Sequence, residues 1–219
     1  MDEVGELKLA DLEQQLHQLF NEVVRTDDFD LNKSSKLKEI LKQDDLNINI
    51  QDSFGRTLFM KSLLWIPASL KIIEILLAHR QFNVNIVDKS GNNTLCYLPF
   101  AHANTEEIFQ IYKQLILKGI NINNQNKYGQ IALAYRMHAV HFSDFDLLQM
   151  LITDGSDIFR PDHENMCAYD YAHADDHVRE VGWKYLVMMN QHLLKLAMTA
   201  DYLLILPKDI REYIKLFSL

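Results

Sequence analysis

The chain has little of what most chemistry-bearing sequences need. It has two cysteines, Cys96 and Cys167, both in apolar surroundings. Without a C-x-x-C pairing they read as buried thiols of a reducing compartment, and no disulfide is expected. Its seven glycines are too scattered for a phosphate-cradling loop, and neither a G-x-S-x-G elbow nor an H-E-x-x-H metal motif occurs. No run of five Lys or Arg is present, and the formal net charge is -8. That balance argues against nucleic acid or an anionic membrane as the main target, because both are held by neutralising phosphates. No apolar run approaches the ~18 residues of a membrane span. The opening MDEVGELKLADLEQQ is acidic where a secretory signal is basic and then apolar. These absences predict no membrane insertion, no cofactor, no metal and no N-terminal export signal, and they place the chain in the cytoplasm. Hydrophobic residues, by contrast, are plentiful at 48%, ample for a core.

The sequence is also repetitive. Asp52-Ser-Phe-Gly55, Asp88-Lys-Ser-Gly91, Asn126-Lys-Tyr-Gly129 and the weaker Asp162-His-Glu-Asn165 start 36, 38 and 36 residues apart. Before the first three stands one phrase, Asn47-Ile-Asn49, Asn83-Val-Asn85 and Asn121-Ile-Asn123, with Ser156-Asp-Ile158 as a degenerate fourth copy. In each unit Asp or Asn is expected to open a tight turn by accepting from nearby backbone amides, with Gly or Asn165 three residues later at positive φ. The flanking asparagines should satisfy turn backbone while Ile122 tucks into the core. A short helical segment follows, such as Thr57–Trp65, then a loop and a longer apolar-periodic helix over 70–77, 106–116 and 145–152. Gly119 and Gly155 read as helix C-terminal caps. The unit is helix, loop, helix and projecting turn, so the fold class is all-α.

These phrases resemble the ankyrin repeat, whose usual unit is ~33 residues. The family's D-x-x-G-x-T-P-L-H opening is matched in part by Asp52-Ser-Phe-Gly-Arg-Thr-Leu-Phe59 and by Asp88-Lys-Ser-Gly-Asn-Asn-Thr-Leu95. Its L-L-x-x-G-A-x-V-N ending is matched by Leu115-Ile-Leu-Lys-Gly-Ile-Asn-Ile-Asn123 and Leu151-Ile-Thr-Asp-Gly-Ser-Asp-Ile158. The family's proline is replaced by Leu58, Thr94, Ala132 and Ala168, and its histidine by Met60, Cys96, Ala134 and Asp170, as in a divergent array. The resemblance implies an ankyrin-repeat solenoid of stacked helix-loop-helix units with irregular helical caps. A capping helix is expected in residues 1–33, the array in 34–186, with repeats starting near 52, 88, 126 and 162, and a helical extension in 187–219. Terminal units of a solenoid must cover an edge that no neighbour buries. An apolar stripe, Leu9, Leu12, Leu16, Leu19, Phe20 and Val23, suits that task at the start, and Ile210, Ile214 and Phe217 suit it at the end.

Candidate chemistry is sparse. His163, Cys167, His173, Asp175, Asp176 and His177 form the richest polar cluster, but their spacing fits no standard zinc pattern and reads as a solvated turn and helix face. His138 and His141 share a helix face without a third ligand. A cysteine nucleophile would need an activating base or charge that the sequence does not supply.

Decoration of the repeats says more. Binding on the concave face is what the ankyrin resemblance implies, and its positions map onto Phe54, Arg56, Leu64 and Trp65, then Lys89, Asn92 and Phe100, then Lys127, Tyr128, Gln130 and His138. Aromatics with nearby Arg or Lys are the usual composition of a protein-binding hot spot. The expected partner-binding residues are therefore Phe54, Arg56, Trp65, Phe100, Tyr128 and His138. Separately, Leu206, Pro207, Ile210 and Ile214 are similar to the opening of an F-box, which implies a ubiquitin-ligase adaptor role as an alternative to sealing the array's end. The Ile-, Asn- and Lys-rich repeats also resemble ankyrin effectors that intracellular bacteria deliver into host cells, which implies a host protein as partner and the host cytosol as working compartment. The expected function is a non-catalytic protein-binding module.

Overall fold

A computed structural model of the chain describes residues 39–64, 70–98, 105–138 and 145–174, together with Gln15, Leu16, Gln18 and Lys36. For Thr105, His138, Phe145, His173 and Ala174 only the backbone is described. The described residues form short helices and turns without a β-strand; an isolated antiparallel bridge joins Gln51 to Thr57. None of their helices is long and apolar enough to cross a membrane. The chain divides into two compact units, Met1–Lys127 and Tyr128–Leu219, taken here in turn.

In the first unit, α1 (Leu58–Leu63) begins where Thr57 stays extended and its hydroxyl accepts from the Met60 amide at 3.2 Å. This N-cap satisfies one of the amides that a helix start leaves open. Six residues are too few to be helical alone, and tertiary burial makes up the deficit. Leu58, Phe59, Met60 and Leu63 are all buried, each such side chain contributing ~1.5–3 kcal/mol. α1 packs against α2 (Leu70–Ala78), whose buried Ile72, Ile73, Leu76 and Leu77 form one face. After α2, His79 is buried. Its Nδ1 accepts from the Gln81 amide at 3.1 Å, which assigns the proton to Nε2, 3.0 Å from the Gln43 carbonyl.

The second repeat departs from expectation. Where a two-turn α-helix would match α1, Thr94–Tyr97 forms a single 3-10 turn, capped by Asn93 through its Oδ1 and the Leu95 amide. The cause lies in the sequence: Leu98 precedes a proline, which disfavours α geometry at Leu98, and Leu98 is extended with ψ 133°. Cys96 therefore sits, buried, in a 3-10 turn. The longer helix, α3 (Thr105–Leu117), ends in a Schellman cap: Gly119 N–H donates to Ile116 and Ile120 N–H to Leu115, with Gly119 at φ 76°. Ile120, next to that glycine, enters the core at 7% exposure, whereas Ile122 is half-buried.

An asparagine relay joins successive repeats of this unit. The Asn49 side chain accepts from the Asn83 amide (3.0 Å) and donates to the Gln81 carbonyl (2.5 Å). Asn85 repeats the pattern one unit on, with Asn121 (2.8 Å) and Gly119 (3.1 Å). The preceding Asn47, Asn83 and Asn121 instead close local turns on the amides two residues ahead. The Asn-x-Asn phrase thus has one residue for its own turn and one for its neighbour. One amide carries both donor and acceptor, and a carboxylate could supply only half of the relay.

In the second unit, α4 (Ala132–His138), α5 (Phe145–Thr153) and α6 (Ala168–Ala174) follow, and α4 packs on both α5 and α6. Small buried residues, Ala132, Ala134, Ala168 and Ala172, let the short α4 and α6 approach closely. Leu147, Leu148, Leu151 and Ile152 form the buried face of α5. Its end repeats the Schellman pattern, with Gly155 donating to Ile152 and Ser156 to Leu151. At the start of α6, Asp170 reaches back to accept from the Cys167 amide at 2.9 Å. Leu58, Thr94, Ala132 and Ala168, aligned by sequence, are each the first residue of a short helical element.

Candidate functional site

The turns before these short helices are rigid for a reason that can be read atom by atom. In the first, Asp52 Oδ1 accepts from the amides of Phe54 and Arg56, both at 2.9 Å. Its Oδ2 accepts from Arg56 Nε at 3.0 Å, and the guanidinium pairs with it at 2.9 Å. Burial alone would raise the Asp52 pKa, but the Arg56 and Phe54 amides and the guanidinium outweigh it and hold the carboxyl below its ordinary value. With the carboxylate turned inward, Phe54 is left at the tip, 63% exposed, with the Arg56 guanidinium 4.7 Å from its ring centre.

The next turn repeats the frame. Asp88 Oδ1 accepts from the Ser90 amide (2.7 Å) and the Asn92 amide (2.9 Å). Its Oδ2 accepts from Asn92 Nδ2 (3.0 Å) and the Tyr97 hydroxyl (2.6 Å). Burial, and then the donation to Asp88, raise the Tyr97 pKa far above the phenolic range. Single backbone bonds join neighbouring turns: Lys89 N–H donates to Phe54 (2.9 Å) and Lys127 N–H to Ser90 (2.8 Å). Lys89 and Lys127 are both exposed.

The second unit carries its own version. Asp162 Oδ1 accepts from the amides of Glu164 (2.8 Å) and Met166 (3.0 Å), and Oδ2 from the Tyr171 hydroxyl (2.5 Å). Burial pushes Asp162 upward, but the Tyr171 hydroxyl and these amides prevail and lower its pKa. Tyr171, by burial and by the same bond, is pushed up to about 12. Asn165 takes the left-handed conformation at φ 60°, the role its position predicts. His163 N–H donates to the Tyr128 carbonyl at 2.9 Å, and the Tyr128 side chain is 64% exposed.

Several sequence-based placements change. Gln130 is buried at 7% exposure and donates to the Tyr171 hydroxyl at 3.3 Å, so it braces the turn and offers no surface. Asn92 is half-buried and bridges Asp88 and Asn126. Leu64 is exposed at 51%, as is Leu117, at 78%, which the sequence reading did not single out. Trp65 and Phe100 lie outside the described residues, as do Leu206, Pro207, Ile210 and Ile214. His138 is the last residue of α4, and its side chain is not described. His141, Asp175, Asp176 and His177 also fall outside. Sequence reasoning further missed the bracing partner nine residues after each turn-opening aspartate. Lys61 (3.9 Å from Asp52), Tyr97 and Tyr171 occupy that place. The signal was available as a fixed offset, Asp-x8-Lys/Tyr, at these three turns.

Neither cysteine is disulfide-bonded, and both are buried. Burial, together with Asp170, raises the Cys167 thiol to about 11, away from the nucleophilic range. Among the described residues no three His, Cys, Asp or Glu side chains converge to hold a metal ion. An open recess of about 260 Å³, lined by Leu16, Ile48, Ile50, Asp52, Arg56, Leu58 and Lys61, lies beside the first turn. Most of that space is open to solvent; the enclosed part is about 10 Å³, room for a single water and far short of the ~300–1,000 Å³ of most ligand pockets. In this geometry the exposed aromatic side chains, Phe54 and Tyr128, stand on turn tips.

Comparison with known proteins agrees with the repeat pattern. An 83-residue stretch, 38% of this chain, is 29% identical to a protein of Acanthamoeba polyphaga mimivirus named as an ankyrin repeat protein. The chain spans about half of that relative's length, 49%. No protein-family model matches the chain. The similarity supports ankyrin-repeat character.

Proposed function

We propose that the chain is an ankyrin-repeat array, an all-α solenoid over residues 34–186 with helical caps in 1–33 and 187–219, that binds a protein partner and has no catalytic activity. The observation that carries this reading is the state of Phe54: a large aromatic, 63% exposed, on a turn that Asp52 closes through the Phe54 and Arg56 amides, its ring under the Arg56 guanidinium. Tyr128 stands 64% exposed on the equivalent turn residue of its own repeat. Aromatic anchors on a pre-formed surface lose little ordering entropy on binding. Phe54 and Arg56 in the first unit and Tyr128 in the second are the described anchors of this proposal, with Trp65, Phe100 and His138 as its further anchors. The likeness in composition to delivered ankyrin effectors makes host-cell proteins the first place to seek the partner.

The test replaces Phe54 and Tyr128 by Ala in the intact chain and measures capture of partners from host-cell lysate. Each anchor should weaken binding roughly tenfold or more, while the thermal melt stays within ~0.5 kcal/mol of the parent because both side chains are exposed. Unchanged capture by the double variant would refute the assignment.

A further inference from the structure

The three turn tips of the Met1–Lys127 unit run edge to edge. The Lys89 amide donates to Phe54 and the Lys127 amide to Ser90, so Phe54, Lys89 and Lys127 follow one another along a single row. The stem of Lys89 lies over the first turn: its Cγ is 3.1 Å from where a Cβ on Gly55 would stand. Among the described residues, carboxylates close by make no ion pair with this row, because their oxygens are engaged by other donors. Asp52 is engaged by two amides and Arg56, and Asp88 by two amides, Asn92 and Tyr97. The third turn opens with Asn126, which carries no charge. Among the described residues neither Lys89 nor Lys127 has an ion-pair partner. Arg56, held by Asp52, acts as a positioning residue for the Phe54 ring.

We infer that this row recognises an acidic, extended segment of a protein, with one apolar side chain of that segment set against Phe54 and its carboxylates against Lys89 and Lys127. The inference rests on the protein-binding reading and adds the chemistry of the partner. A row of tips tied by backbone bonds suits an extended chain lying across successive turns. Two exposed ammonium groups without an ion-pair partner among the described residues mark this edge on a chain of formal charge -8, and complementary charge selects partners and speeds encounter.

The experiment pans a displayed library of random peptides on the intact chain, on a Lys89→Glu/Lys127→Glu double variant and on Phe54→Ala. The parent should enrich acidic peptides with an apolar residue. Their affinity should fall roughly tenfold or more in the double variant and should weaken as salt is raised. Peptides that depend on Phe54 but show no acidic bias and ignore the charge reversal overturn this inference and leave the binding reading intact. Peptides indifferent to Phe54 as well as to both lysines overturn both. Capture of single-stranded poly-dT in their place, unaffected by Phe54→Ala, overturns the choice of a protein segment.

Discussion

Replacing Gly55 by alanine should damage the chain more than the same change at Gly119, although the two glycines have almost the same backbone conformation, φ 77° and 76°. An L residue held in that left-handed region costs ~1–2 kcal/mol, common to both sites. The surroundings differ. A Cβ at Gly119 would meet nothing within 4 Å, whereas one at Gly55 would lie 2.5 Å from the Lys89 nitrogen and 3.0 Å from the Asp88 carbonyl carbon. These are backbone atoms and cannot rotate aside. The Lys89 nitrogen is also the donor to Phe54 that ties the first turn to the second. Relieving the clash separates the turns and loses that bond, adding ~0.5–1.5 kcal/mol. The expected totals are roughly 1.5–3.5 kcal/mol for Gly55→Ala and about 1–2 kcal/mol for Gly119→Ala. Urea denaturation followed by far-ultraviolet circular dichroism reads both as a shift in midpoint at constant slope. Equal destabilisation, or a larger effect at Gly119, would refute the argument that repeat-to-repeat contact, and not φ alone, makes glycine obligatory in the turn.

Two further outcomes follow from the turn chemistry. Asp162 has a folded pKa below its ordinary value, so its contribution is present above about pH 4 and is lost as pH falls through the folded value. Asp162→Asn keeps an acceptor for the Glu164 and Met166 amides but removes the charge facing Tyr171. It should cost ~1–2 kcal/mol at neutral pH and flatten the acid limb of the stability curve, and an unchanged acid limb would contradict the assignment. Cys167, raised from 9.0 to about 11, should carry roughly a hundredfold less thiolate than an ordinary thiol at neutral pH. Its iodoacetamide modification in the native chain should be correspondingly slow and should rise to the free-thiol rate in urea; rapid native labelling would count against the structure around α6.

Spacing alone located the turns, the caps and the helix starts. Asp52, Asp88 and Asp162 sit where a carboxylate must accept from amides two and four residues ahead, and this is local geometry written into the chain. Such interactions span a few residues, so a linear reading finds them. The same holds for the positive φ of Asn165 and for the glycine ends of α3 and α5. The short 3-10 turn at Thr94–Tyr97 was legible too, in the proline that follows Leu98, but the repeat pattern masked it.

Which polar side chains face outward was decided only in three dimensions. Gln130 and Tyr128 are two residues apart, yet one is buried against the Tyr171 hydroxyl and the other is 64% exposed. Ile120 and Ile122 likewise divide between core and half-buried positions. These fates depend on partners 28 to 41 residues away, such as the Asn93 side chain reaching the Asn121 carbonyl or Gln130 reaching Tyr171. Composition and periodicity determined that repeated turns and short helices form. Tertiary contact decided which turn residues are turned inward and which, like Phe54, Lys89 and Lys127, stay exposed, because burial depends on what neighbouring turns and helices place against each side chain.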